Sequence, residues 1–103
     1  MAILNTTLNS STASNVYASV GDSAITTIHV CNFTPSTQTV NVHIVKNGSV
    51  ASSNNIIYSN LSITAYNTHI VSDEKFILAS GDTVQANCSN ANAVSVTVSS
   101  IGI

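Results

Sequence analysis

Residues 38–46, Gln-Thr-Val-Asn-Val-His-Ile-Val-Lys, put Val40, Val42 and Ile44 on one side of an extended chain and Thr39, Asn41 and His43 on the other. An apolar residue at every second position marks a strand with one face buried and one face wet. Asn47-Gly48 follows at once and Ser49-Val50 resumes. That dipeptide supplies the two left-handed residues of a type I′ turn, so a hairpin is expected at this point.

The same reading extends in both directions. Residues 24–33 carry Ile25, Thr27, His29, Cys31 and Phe33 on one side and Thr26, Ile28, Val30 and Asn32 on the other. Apolar groups on both sides predict a central strand covered on both faces. Asn55-Ile56-Ile57-Tyr58 leads through Asn60-Leu61 into Ser62-Ile63-Thr64, and residues 65–71 form a further candidate. Asp73-Glu74-Lys75 holds half of the charged residues and reads as a solvated turn before Phe76-Ile77-Leu78 returns to the core. Gly81-Asp82 marks another turn. Residues 83–88 and 93–101 follow as the last two strands, with Val94, Val96 and Val98 inward. Near the start, Ile3–Leu8 and Asn15–Val20 are weaker strand candidates around a polar Asn9-Ser10-Ser11-Thr12 loop. No segment shows a helical apolar period with caps, and β-branched residues dominate.

The fold class expected is therefore all-β: a single small antiparallel β-sandwich, Ig-like or jelly-roll-like, of seven or eight strands. Its predicted core includes Ile28, Val30, Val42, Ile44, Leu78, Val84, Val96 and Val98. The organisation expected is a 21–103 sandwich domain preceded by a 1–20 segment that contacts neighbouring chains.

Composition narrows the function. The 103 residues include two Lys or Arg and four Asp or Glu, so 6% are charged, against about 25% in an ordinary soluble domain. Ser, Thr and Asn fill the gap. The apolar share of 44% excludes a disordered chain. A net charge of −2 gives no basic stripe for nucleic acid, so no nucleic-acid partner is expected. No apolar run reaches the roughly 18 residues of a membrane-spanning helix, so no membrane partner is expected either. Met1-Ala2-Ile3-Leu4-Asn5 lacks the basic segment and apolar core of a secretory signal, which predicts synthesis in the cytoplasm.

In that compartment Cys31 and Cys88 are expected as reduced, unligated thiols, with Cys31 in the core. Six Asn-x-Ser/Thr triplets, at Asn5, Asn9, Asn32, Asn47, Asn60 and Asn87, read as composition rather than glycosylation sites. His29, His43 and His69 are the best metal candidates. His29 and His43 lie on consecutive strands that could bring them together, yet no ligands cluster locally, and no metal or other cofactor is expected. A Cys31–His–Asp triad would need a base and an acid from distant strands. Asp22 and Asp82 each follow Gly, as turn residues do, which disfavours a catalytic carboxylate pair. No catalytic, cofactor-binding or metal residue is therefore assigned, and the chain is expected not to be an enzyme. Sugar binding is a competing reading, with only Tyr17, Tyr58 and Tyr66 able to stack.

Five stretches carry a resemblance. They are Thr27-Ile28-His29-Val30-Cys31-Asn32, Val40-Asn41-Val42-His43-Ile44, Ile56-Ile57-Tyr58 with Leu61, Phe76 through Ala86 with its Leu-x-x-Gly-Asp turn, and the closing Val94–Ile103. In order and spacing, over roughly residues 20–103, they resemble a group of small bacteriophage virion proteins. The resemblance implies a head, neck or tail accessory component located in the virion and partnered by other virion proteins. Joined to the near-neutral polar surface, it gives the leading expectation: a non-enzymatic capsid decoration or cement subunit that works as a homo-oligomer. A neck, tail or fibre-associated subunit is the variant reading, and a carbohydrate-binding module the alternative from a different class.

Overall fold

A computed structural model describes residues 2–8, 10, 13–71 and 76–102. Nine strands account for most of them: β1 (Ala2–Thr7), β2 (Ser14–Ala18), β3 (Ser23–Asn32), β4 (Gln38–Val45), β5 (Ile56–Ile63), β6 (Thr68–Val71), β7 (Phe76–Leu78), β8 (Thr83–Cys88) and β9 (Val94–Gly102). They form two antiparallel sheets, one in the order β1-β9-β3-β6 with β7 also on β3, the other β2-β8-β4-β5. The all-β sandwich expected from the alternation is what forms. One strand more than expected appears because the edge beside β3 is interrupted: β6 pairs with residues 28–31 of β3 and β7 with residues 23–25. Asp73-Glu74-Lys75 and most of the Asn9–Thr12 loop lie outside the described residues.

The pairings nest. Ile3 faces Ser99, Asn15 faces Gln85, Ile28 faces Val71 and Val40 faces Leu61. The chain is thus one long hairpin whose tip is residues 46–55. Rolling that hairpin over brings β9 against β3 and β8 against β4. With β6 and β7 counted as one broken strand, this is the eight-stranded jelly-roll order, the second of the two architectures expected.

The core fills the space between the sheets. Val30, Val94, Val96 and Val98 from one sheet meet Val16, Val40, Val84 and Ala86 from the other, all essentially inaccessible. Seven of the eight expected core residues are buried, and Ile44 is half-buried against the cluster. Leu8 and Val16 are fully buried and β1 and β2 pair within the sheets, so residues 2–8 and 13–18 are part of the sandwich itself.

Three expectations change. The apolar groups on both sides of 24–33 do not signal double coverage. The register with β9 shifts between Ile25 and Thr27, and this bulge turns Ile25 inward beside Ile28, Val30 and Asn32. The Thr26 hydroxyl lies 3.1 Å from both the carbonyl and the hydroxyl of Ser99, which satisfies the interrupted ladder. Cys31 therefore faces outward and is half-buried rather than in the core. Second, Asn47-Gly48 does not make a type I′ turn. Only Gly48 is left-handed (φ 86°), with Ser49 N donating to Lys46 O at 2.9 Å, the type II pattern. The returning strand starts at Ile56, not Ser49. Third, His43 and Val45, on the outer side of β4, are buried as well.

One buried side chain ties the two sheets. Asn32, at the end of β3, is fully inaccessible. Its Nδ2 donates to the carbonyls of Ser36 (2.8 Å), Ile63 (2.9 Å) and Thr64 (3.2 Å), and its Oδ1 accepts from Thr34 N and Oγ1. A buried amide is tolerated because every polar atom has a partner. The same burial rules out glycosylation at this Asn-x-Thr triplet.

Candidate functional site: an amide-lined groove and a bare sheet edge

β4 and β5 do not pair evenly. The register shifts between Val40 and Val42 and again between Val42 and His43. Each shift leaves an extra residue in β5, which bulges away from its partner. At the first bulge Asn60 takes a left-handed backbone (φ 52°), a conformation Asn adopts more readily than most residues. Its amide donates to Asn41 Oδ1 at 2.8 Å. The bulge explains how Tyr58 and Leu61, three apart, both pack inward.

The bulged sheet and the 46–55 loop enclose an open groove of about 750 Å³ on the outer face of the four-stranded sheet. Asn41 and His43 of β4 form its floor with Gln85 and Asn87 of β8. Ile56, Ser59 and Asn60 of β5 make one wall, and Ser49, Val50 and Ala51 of the loop another. Among the described residues no Lys, Arg, Asp or Glu lines it.

His43 is held from the loop side. Nδ1 lies 3.1 Å from Ser52 O and 2.8 Å from Asn55 Oδ1. The Asn55 amide is oriented by its own bonds: Nδ2 donates to Val50 O and Oδ1 accepts from Ser52 N. Nδ1 thus faces two acceptors and carries the proton of the neutral ring, which leaves Nε2 as an acceptor. The tautomer is assigned from these partners.

The other candidates separate. His29 lies exposed on the outer face of the five-stranded sheet, opposite Thr97 and Ile70. His43 is on the outer face of the other sheet, because the 33–37 connection crosses between sheets instead of making a hairpin. The meeting of His29 and His43 that consecutive strands could have allowed does not occur. His69 packs edge-on against Tyr58, ring centroids 5.3 Å apart. Among the described residues no three His, Cys, Asp or Glu side chains come together. Both thiols are free, and Cys88 is buried with Sγ 2.8 Å from Asn90 O.

Asp82 spends both carboxylate oxygens on backbone amides, Asn47 N and Ala79 N, each at 2.9 Å. These bonds, that to Asn47 foremost, hold its carboxyl below the usual range. It is a clamp between two turns, and Gly81, left-handed at φ 91°, packs against the Asn47 side chain. Of the possible stacking rings, Tyr17 donates its hydroxyl to Ser23, and hydrogen bonds to Ser100 and Ser23 draw its phenol below the ordinary range. Tyr58 packs on the core, and only Tyr66 is largely exposed. None lines the groove.

The second surface is an edge. β1 pairs with β9 over six unbroken registers, Ala2↔Ser100 to Thr7↔Ser95, and its other side is unpaired among the described residues. It has no charge, proline or bulge, the devices that normally protect an edge. The other edges are bulged (β2 and β5) or no longer than four residues (β6 and β7). Beside β1, the outer face of its sheet is apolar at one end: Ile77, Ala24 and Ile101 stand opposite one another across β7, β3 and β9. Ile3 is 69% and Ile77 67% exposed.

No family model, curated protein or solved structure matches the chain. Among the described residues no helix is long and apolar enough to cross a membrane.

Proposed function

We propose that this chain is a non-enzymatic structural subunit of a bacteriophage particle, a capsid decoration or cement protein that works as an oligomer and through contacts with other virion proteins. The observation that carries the reading is the unprotected β1 edge, continuous with the exposed isoleucines of the same sheet. An unpaired regular strand offers its N–H and C=O groups to a strand of a neighbour, and the isoleucines add apolar contact beside it. Modest contacts of this kind gain strength when repeated over many copies. The resemblance of residues 20–103 to small virion proteins supports the same reading, and jelly rolls are a common architecture of viral capsid domains.

Mass spectrometry and antibody labelling of particles purified from the encoding phage provide the test. The expected result is a stoichiometric chain on the capsid surface, and label confined to the neck, tail or fibre would move the subunit there. Absence from particles, with a strictly monomeric chain at high concentration, would overturn the proposal.

A further inference from the structure

We propose that the groove on the outer face of the four-stranded sheet is a binding site for a neutral saccharide. This inference does not depend on the particle reading, because the groove and the β1 edge belong to different sheets.

The volume of about 750 Å³ suits a ligand of a few sugar rings. Among the described residues the lining holds no carboxylate, ammonium or guanidinium group, so it offers no fixed charge to select a phosphate, sulfate or carboxylate over a neutral ligand. What the groove offers is neutral donors and acceptors in alternation. Asn41 gives its Oδ1 to Asn60 N, so its Nδ2 remains as a donor. Gln85 gives its Nε2 to Thr83 Oγ1 at 3.0 Å, so its Oε1 remains as an acceptor. His43 presents Nε2 as a second acceptor, with its ring fixed by Ser52 and Asn55. Asn87, directly opposite Asn41, brings both a donor and an acceptor. A sugar hydroxyl donates and accepts at once, and side-chain amides match it. Asn41, Gln85 and Asn87 sit on strands, and the bonds of Asn41 and Gln85 orient those two side chains before any ligand arrives, which lowers the ordering cost of binding. In place of an aromatic platform, Val50 and Ile56 give an aliphatic wall for the C–H face of a sugar ring.

The experiment uses the full chain on a printed array of neutral and acidic glycans. It continues with 15N–1H spectra of the protein titrated with the neutral glycan that gives the strongest array signal. The expected result is selective retention on neutral glycans, with shifts in the side-chain amides of Asn41, Gln85 and Asn87. Asn87→Ala should lower affinity roughly tenfold, the worth of one or two hydrogen bonds, at an unchanged melting temperature. Gln85→Ala provides a second variant should the first lose its fold, and Ile3→Lys, at the remote edge, should bind as the parent does. No retention on any neutral glycan, preference for acidic glycans, shifts confined to other surfaces, or amide shifts produced only by an extended peptide would each overturn the proposal.

Discussion

The outer face of the five-stranded sheet and that of the four-stranded sheet end as opposite surfaces. The first has one register shift, inside it between β3 and β9; at its edge β1 follows β9 without a break, and the row Ile77–Ala24–Ile101 crosses it openly. The second has one register shift between β2 and β8 and two between β4 and β5. Asn41, Asn60, Gln85 and Asn87 stand on its outer side, and the 46–55 loop lies over it. An even edge beside exposed isoleucines leaves a surface suited to a flat partner. A bulged ladder under a loop leaves a concavity suited to a small ligand. In a chain with six charged residues, register rather than electrostatics distinguishes the two.

The most severe test of this contrast removes what joins the sheets. Asn32→Leu should cost about 3 kcal/mol, because the buried Ile63 carbonyl loses its donor and the Ser36 and Thr64 carbonyls and the Thr34 amide lose the same partner. Chemical denaturation should show one cooperative transition at lower denaturant. If hydrogen exchange instead showed one sheet opening alone, the sheets would be independent units and the comparison would need redrawing. Next in size, Val96→Ala should cost about 2 kcal/mol by lost burial and a cavity in the shared core. A loss under half that would mean the sheets do not depend on one common core.

How much of this was legible in the sequence follows from the period. Wherever strands are even, as in Val94-Ser95-Val96-Thr97-Val98, alternation alone identifies the buried side. Bulges left a trace that is readable in retrospect: Ile25 with Ile28, and Tyr58 with Leu61, are apolar pairs three apart that no even strand can point the same way. The groove was not legible. It needs Asn41, Asn60, Gln85 and Asn87 on one surface, and their meeting depends on which distant strands pair. Nor did Asn47-Gly48 disclose its turn type, because the Asp82 carboxylate, thirty-five residues away, binds the Asn47 amide.

That clamp gives a smaller, pH-dependent effect. The native state holds the Asp82 carboxyl below its unfolded value. Its contribution is therefore complete above about pH 4 and is lost as pH falls through the lower native value. Asp82→Asn should flatten the acid limb of a melting-temperature profile and leave the profile's shape near neutrality unchanged. A parent and variant with parallel acid limbs would remove Asp82 from the account of the loop end of the groove-bearing sheet.

The smallest effect on stability belongs to the apolar face. Ile77→Lys, at a side chain 67% exposed, should change folding stability by no more than about 0.5 kcal/mol. Sedimentation analysis should nonetheless show loss of self-association. Association of the parent should persist in high salt, since so few charges are there to be screened. Strong salt dependence would point to an interface elsewhere and separate flatness from function.

The nested hairpin also has a consequence in time. The most C-terminal of the nine strands, β9, lies between β1 and β3, so its sheet lacks its middle until β9 has been made. Pairs close to the tip, such as Val42 with Tyr58, can form while Leu4 is still waiting for Val98. Topologies dominated by such distant partners fold in milliseconds to seconds. For each newly made molecule β1 is therefore among the last strands to find its place, and the edge proposed above for assembly stays unpaired on both sides until β9 arrives. If the chain assembles as proposed, each copy would have to close its own sheet before meeting another chain, and chain connectivity would set the pace at which sound copies are supplied.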